Sequence, residues 1–155
     1  MIALKRVLIP VDFGENSAQV LHYGLDLAKK FDAEVHLLHI IEDRAAIAAG
    51  PDGFYRLPGE TVVEMVEETQ KKLEEVEFPE GFQEMGRTCH VSEGAPFVEI
   101  IQYAKKHDID LIVMGTHGKT GIVHMLMGSV AERVVRKAPC PVLTIRPSDL
   151  KFEMP

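Results

Sequence analysis

Residues 7–12 read Val7-Leu8-Ile9-Pro10-Val11-Asp12, a continuous apolar run that ends at a carboxylate. The run has the length of a strand and contains no alternation of polar and apolar residues. Continuous apolar runs of this length are typical of strands that are buried on both faces, as in a parallel sheet. The stretch therefore predicts a central strand of an α/β fold.

Four further segments have strand patterns, and helical patterns lie between them. Three of these segments, 34–41, 111–114 and 142–145, are strand-length and rich in branched apolar residues, whereas 85–91 alternates and suits an edge strand. Apolar residues recur at helical spacing in 17–31, 60–76, 96–106 and 129–138. A strand followed by a helix, four times over and closed by a final strand, predicts an α/β sandwich with right-handed crossovers.

Length and composition are those of one globular domain. The chain has 155 residues, of which 46% are hydrophobic and 26% are charged. We expect a single domain over residues 1–147 and a C-terminal tail over 148–155, which has no periodic pattern. Residues 43–58 contain several glycines and prolines and are predicted to form a long loop, of the kind that is usually functional or mobile.

Charge and cysteine content exclude several classes of function. The formal net charge of −7 argues against nonspecific binding to nucleic acid or to a membrane surface, because both favour a positive field. No apolar run approaches the roughly 20 residues that span a bilayer, and the first residues do not read as a signal peptide. Cys89 and Cys140 are too few and too far apart for a disulfide framework or a zinc pattern. We expect a cytoplasmic protein with reduced thiols.

The segment richest in candidate functional residues is 114–121, Met-Gly-Thr-His-Gly-Lys-Thr-Gly, which follows the third apolar run. It leads through Met127-Gly128-Ser129 into the last helical pattern. Glycines allow sharp turns and let a ligand approach the main chain, and a helix N-terminus favours negative charge. We expect a phosphate-binding loop here, with Ser129 as a hydroxyl donor and Lys119 as a nearby cation. The spacing is neither that of a Walker A loop nor that of a dinucleotide-binding GxGxxG motif.

Each of these residues also has a purely structural interpretation. Ser129 and Glu132 have the spacing of a capping box, which would only start the helix. Gly115 and Gly121 would serve as turn glycines, and Asp12 as a turn former at the end of its strand. The combination and order of the residues favour the binding interpretation.

The spacing Gly115-x2-Gly118-x9-Gly128-Ser129 resembles the ATP-binding signature of the universal stress protein family. Residues 7–13, 37–40 and 138–142 also resemble that family, and the match runs in the same order from about Lys5 to Arg146. The resemblance implies an adenine nucleotide alpha hydrolase-like fold: a five-stranded parallel sheet in the order 3-2-1-4-5, with helices on both faces. It also implies a homodimer joined through the last strand.

The resemblance implies a nucleotide site where the first and fourth strands lie side by side and the winding reverses, which is where open α/β sheets bind ligands. Adenine and ribose would be held by Pro10, Val11, Asp12 and the backbone near Ile40, which stands where we expect valine. Ribose and phosphates would be lined by Gly115, Thr116, His117 and Gly118. Amides of Gly128, Ser129 and Val130, with the Ser129 hydroxyl, would bind the phosphates.

The implied ligand is ATP, AMP or ADP, with Mg²⁺ held mostly by phosphate and water and with Asp12 nearby. We therefore predict an ATP-binding regulatory module of the stress response, with no assigned catalytic residue and with a protein partner left unidentified. One alternative is a slow ATP hydrolase or nucleotide-transfer enzyme, although the sequence has no nucleophile elbow and no paired acids around a general base. Another is a dimeric stress protein that binds no nucleotide. A phosphoacceptor receiver domain is disfavoured, because Val91-Ser92-Glu93-Gly94 lacks the required aspartate.

Overall fold

The computed structural model of the chain describes residues 1–42, 62–117 and 127–147. The predicted loop at 43–58 and the predicted tail at 148–155 lie outside these residues. Within them, strands and helices alternate along the chain. The strands are β1 (Arg6–Pro10), β2 (Glu34–Glu42), β3 (Arg87–Gly94), β4 (Leu111–Gly115) and β5 (Val142–Ile145). The helices are α1 (Ser17–Phe31), α2 (Val62–Glu74), α3 (Pro96–Lys106) and α4 (Ser129–Lys137).

The five strands form one parallel sheet in the order β3-β2-β1-β4-β5, which confirms the predicted topology. The apolar run that opened the chain lies at its centre. Val7, Leu8 and Ile9 are each almost completely buried, because both faces of β1 are covered. The alternating segment forms the edge strand β3, although it begins and ends slightly later than the pattern predicted.

Helices cover both faces of the sheet and divide the core into two clusters. On one face, α1 and α2 pack against the side of β1 that carries Val7 and Ile9. On the other face, α3 and α4 pack against the side that carries Leu8. Because neighbouring side chains of a strand point to opposite faces, this one segment contributes to both layers of core. The three-layer α/β sandwich is thus confirmed.

α1 packs closely against β1 at Gly24. A Cβ atom added there would clash with Cδ1 of Ile9, so a larger residue would require the Ile9 side chain or the helix to move. None of the described helices is both long and apolar enough to cross a membrane.

Candidate functional site at the carboxyl edge of the sheet

The ends of β1 and β4 are adjacent at the centre of the sheet. Val7 pairs with Leu111 and Leu8 with Ile112, so the two parallel strands run together toward the same edge. The chain leaves β1 toward α1 on one face, and it reaches α4 on the other face after leaving β4. This is the point at which the winding reverses, as the family resemblance implied, and open α/β sheets bind ligands at such points.

Asp12 organises the turn between β1 and α1. Its Oδ1 atom accepts hydrogen bonds from the Gly14 amide at 2.8 Å and from the Ser17 hydroxyl at 2.6 Å. A carboxylate that bonds an amide two residues ahead forms an Asx turn, a common way to start a helix. The structural interpretation of Asp12 is therefore confirmed, and the same geometry holds the carboxylate at the carboxyl end of β1.

The backbone of Val11 is already occupied by contacts within the protein. Its amide donates to the carbonyl of Leu38 at 2.8 Å, and its carbonyl lies 2.6 Å from Nδ1 of His39. Val11 is buried in the core on the α1 side, whereas Ile40 packs against the core on the α3 side. These two predicted base-binding residues thus lie on opposite faces of the sheet, and the side chain of Val11 is used in the core.

Residues Gly115–His117 form a tight turn at the end of β4. The Thr116 amide donates to the carbonyl of Ile145 at 3.0 Å, which ties the turn to β5. The Thr116 hydroxyl lies 2.9 Å from Nδ1 of His117. A Cβ atom added at Gly115 would come within 3.2 Å of the His117 carbonyl oxygen, so this position favours glycine.

One hydrogen bond connects the end of β4 to the start of α4. The Gly128 amide donates to the Thr116 carbonyl at 2.6 Å, although nine intervening residues, 118–126, lie outside the described part of the chain. Gly118, a predicted site residue, and Lys119 fall in that interval. The bond brings Gly115, Thr116 and Gly128 together at the edge, as the motif spacing implied. It also uses the Gly128 amide, so the amides of Ser129 and Val130 are the better donors for a ligand.

The first turn of α4 begins differently from the capping box. Gly128, with φ −68° and ψ 155°, occupies the N-cap, and no side chain of the described residues caps this turn. Ser129 is the first helical residue and is exposed. Glu132 instead pairs with Arg136 at 2.8 Å. The hydroxyl that a capping box would have used therefore lies beside first-turn amides that have no partner within the helix.

Three residues that the sequence pattern did not assign to the site surround Asp12. Phe13 adopts a left-handed backbone conformation, with φ 57°. Its ring lies 4.7 Å from the ring of His39, and Nζ of Lys72 lies 4.4 Å from the centre of the Phe13 ring. Lys72 belongs to α2, so no local pattern could have placed it here. The contact adds a positive charge near the end of β1.

Neither a metal site nor a second ligand site emerges elsewhere in the described residues. They contain no group of three or more histidine, cysteine, aspartate or glutamate side chains arranged to hold a metal ion. His36 and His39 point to opposite faces of β2.

An open depression of about 360 Å³ is lined by Glu77, Phe78, Gln83 and Arg87. The Arg87 guanidinium stacks on the Phe78 ring and donates a hydrogen bond to the Val76 carbonyl, so the positive charge of this surface already has partners within the protein.

Comparison with known proteins identifies this architecture. The profile of the universal stress protein family matches residues 3–146. Universal stress protein MJ0531 of Methanocaldococcus jannaschii is 37% identical over 144 residues, covering 92% of this chain and 82% of that protein. The solved structure of hypothetical protein MJ0577 from the same organism superposes with a TM-score of 0.75 at 27% identity, covering 96% of this chain and 99% of that one.

A more distant structure shows the same fold. The universal stress protein from Archaeoglobus fulgidus in complex with dAMP has a TM-score of 0.59 at 19% identity, and the match covers 93% of this chain and 98% of that one. The fold, the matched profile and the identity to MJ0531 agree with one another. The chain therefore belongs to the universal stress protein family.

Proposed function

We propose that this protein binds an adenine nucleotide, ATP or its lower phosphates ADP and AMP, at the carboxyl edge of β1 and β4. The observation that carries the proposal is the uncapped first turn of α4, held 2.6 Å from the end of β4 by the Gly128–Thr116 hydrogen bond. A helix N-terminus with a hydroxyl beside it provides donors and a positive dipole end for a phosphate. The dAMP complex of a protein with this fold makes an adenine nucleotide the first ligand to test.

The residues present fit such a ligand. Phosphate oxygens would be bound by the amide and hydroxyl of Ser129 and by the amide of Val130. Thr116 and His117 would lie beside them. The half-buried side chain of Ile40 would contact the base. Mg²⁺ would enter with the phosphates and keep mostly phosphate and water ligands, with the Asp12 carboxylate nearby. Gly118 would complete the loop between these groups.

The proposed role is regulatory and cytoplasmic. Asp12 is bonded to Gly14 and Ser17, and we assign no catalytic residue at this edge. Bound nucleotide would shift the protein toward the conformation that binds nucleotide more tightly, and a protein partner would recognise that conformation. The size of the shift is set by the difference in nucleotide affinity between the conformations. Release of phosphate in stoichiometric excess over protein would instead support the hydrolase alternative.

We also infer a homodimer that pairs through β5. This strand lies at the edge of the described sheet, and the side chain of Leu143 is 36% exposed. An apolar residue on an unpaired edge is a surface on which a second copy would add strands. Sedimentation velocity should give twice the mass of the chain, and the Leu143→Lys variant should sediment as a monomer. A monomeric parent protein would contradict this inference without affecting the nucleotide site.

Acid extraction of protein purified without added nucleotide, followed by calorimetric titration with Mg-ATP, tests the binding proposal. We expect adenine nucleotide in the extract or binding in the titration. Gly128→Val should weaken binding by at least about tenfold, or roughly 1.4 kcal/mol, because the side chain would occupy the space beside the phosphates. No binding at millimolar Mg-ATP would refute the proposal.

Gly86→Val is the matched control. A Cβ atom added at Gly86 meets no atom within 4 Å, so the same substitution there should leave both folding and affinity unchanged. Circular dichroism of both variants separates a lost site from a lost fold. Undiminished binding in Gly128→Val would show that the site lies elsewhere.

A further inference from the structure

A cluster of three histidines around one tyrosine lies on the α3 side of the sheet. The Tyr103 hydroxyl is 2.9 Å from Nδ1 of His36. The ring of His107 stacks on Tyr103 with 4.1 Å between centroids, and the His90 ring lies 5.4 Å from it. His36 stands near the start of β2, so this histidine–tyrosine cluster lies toward the amino edge of the sheet. The proposed nucleotide site occupies the opposite edge.

His36 is the buried member of the cluster. It is 4% exposed, and its Nε2 atom has no hydrogen-bond partner among the described residues. The nearest carboxylate oxygen, Oε1 of Glu34, is 3.6 Å away. Burial raises the pKa of Tyr103 to about 12, so the phenol is protonated at neutral pH. When the imidazole is neutral with its proton on Nε2, the Tyr103 hydroxyl donates a hydrogen bond to Nδ1.

Charges of both signs face the cluster from β1, β2, β3 and α3. The titratable and charged groups are Arg6, Glu34, His90, Glu99, Lys106 and His107. Arg6 lies 3.6 Å from Glu34 and also donates to the His107 carbonyl at 3.3 Å. The carboxylate nearest His36 is therefore shared with a guanidinium. Burial lowers the pKa of His36, with Glu34 opposing that shift and His107 and Arg6 adding to it.

We propose that the histidine–tyrosine cluster is an acid-sensitive contact, which holds the C-terminal half of α3 on β2 while His36 is neutral and releases it when His36 gains a proton. A protonated His36 carries a proton on Nδ1 and must donate from it, so the Tyr103 oxygen has to become the acceptor. The Tyr103 hydroxyl proton then loses Nδ1 as its hydrogen-bond acceptor. The new charge is also buried, without a hydrogen bond at Nε2 within the described structure. Tyr103 and His107 sit one turn apart on α3, so movement of one ring carries the other with it.

The direction of the pH effect follows from proton binding. In the unfolded or opened chain, His36 has its ordinary pKa of about 6.5. In the closed state the pKa is lower, so below about pH 6.5 the opened state binds more protons than the closed state. The contribution of the contact is present in full above that pH. It is lost progressively as the pH falls from about 6.5 toward the lowered pKa of the closed state.

Hydrogen exchange of the α3 amides tests this in the full chain without nucleotide. Exchange is measured at pH 8 and pH 5 and corrected for the intrinsic rate at each pH. At pH 5, about 1.5 units below the opened-state pKa, we expect the opening equilibrium constant of α3 to be up to about 30-fold higher than at pH 8, and that of α1 to change less. His36→Phe should reduce the rise, because phenylalanine fills the space without titrating, and the part that remains comes from His90, whose pKa burial also lowers. An unchanged opening constant in the parent protein, or the full rise in His36→Phe, would overturn the proposal.

Two further variants keep the test decisive if His36→Phe folds poorly. Tyr103→Phe keeps the ring contacts but removes the hydroxyl. In the parent protein, that hydroxyl stabilises neutral His36 by donating to its Nδ1. The pH-dependent rise of the variant should therefore be smaller than that of the parent protein. His22→Gln replaces an exposed histidine on α1 and should keep the full rise. A Tyr103→Phe response as large as the parent's would show that the hydroxyl contact does not set the pH dependence.

Discussion

The helices that follow β1 and β4 start at neighbouring strand ends but differ in the charge beside their starts. Neither N-cap residue, Asn16 at α1 or Gly128 at α4, makes a side-chain hydrogen bond to its helix. At α1, the Asp12 carboxylate accepts from the Gly14 amide in the preceding turn and from the Ser17 hydroxyl, so the protein places its own negative charge there. At α4, the first helical residue is the exposed Ser129, and the first-turn Glu132 pairs with Arg136.

The difference explains where an anion would be bound. The first-turn amides of any helix lack partners within the helix, and its dipole favours negative charge. A carboxylate already lies beside the start of α1, whereas Ser129 at the start of α4 has a hydroxyl and no charge. The sequence agrees with the proposed phosphate site, because residues 115–147 contain five basic residues and one acidic residue in a chain of net charge −7.

Placing a carboxylate at the start of α4 should make its charge similar to that beside the start of α1. We expect Ser129→Asp to weaken Mg-ATP binding by about 100-fold, roughly 2.8 kcal/mol, because a negative charge would occupy the phosphate position. The same change should raise the free energy of unfolding by about 0.5 kcal/mol through its interaction with the helix dipole. Calorimetry measures the first effect and urea denaturation the second.

Ala95→Asp adds the same charge to the start of α3, where the N-cap also has no side-chain hydrogen bond. It should stabilise the fold by a similar amount and change the affinity for nucleotide by less than about threefold, since screening weakens charges that lie farther from the phosphates. If both variants weakened binding equally, the effect would come from net charge, and α4 would have no special role.

Much of the fold could be predicted from the sequence because its signals are local. The apolar run at Val7–Val11 identified a central strand, and the periodicity of 17–31 and 96–106 matched α1 and α3 residue for residue. The edge strand β3 was shifted by a few residues, since its pairing with β2 outweighs its weak alternation. The strand order itself came from family resemblance, because periodicity does not specify which strands are neighbours.

The candidate site was predictable in its motif and not in its contacts. Gly115, Gly128 and Ser129 lie together because a local pattern places them between one strand and one helix. By contrast, the Lys72–Phe13 contact joins residues 59 positions apart, and only tertiary packing creates it. The N-cap was shifted by one residue, from Ser129 to Gly128, and such a shift decides whether the serine hydroxyl caps the helix or faces a ligand. The roles of these residues toward nucleotide stay predictions.

Removing the carboxylate beside the start of α1 is the complementary change, and it should lower the free energy of unfolding. Asp12→Ala would leave the Gly14 amide and the Ser17 hydroxyl without their acceptor, at a cost of about 1.5 kcal/mol in the free energy of unfolding. For a chain of this length, that corresponds to a Tm about 4 °C lower. Asp26→Ala, on the exposed face of the same helix, removes only a surface contact with His22 and should cost less than about 0.5 kcal/mol.

Because Asp12 also lies at the carboxyl end of β1, next to the proposed nucleotide site, titration with Mg-ATP of the Asp12→Ala variant, at a temperature where it stays folded, separates a structural role from a binding role. Lower stability with retained affinity would assign the carboxylate to the turn before α1 alone, whereas unchanged stability would contradict its role in holding that turn.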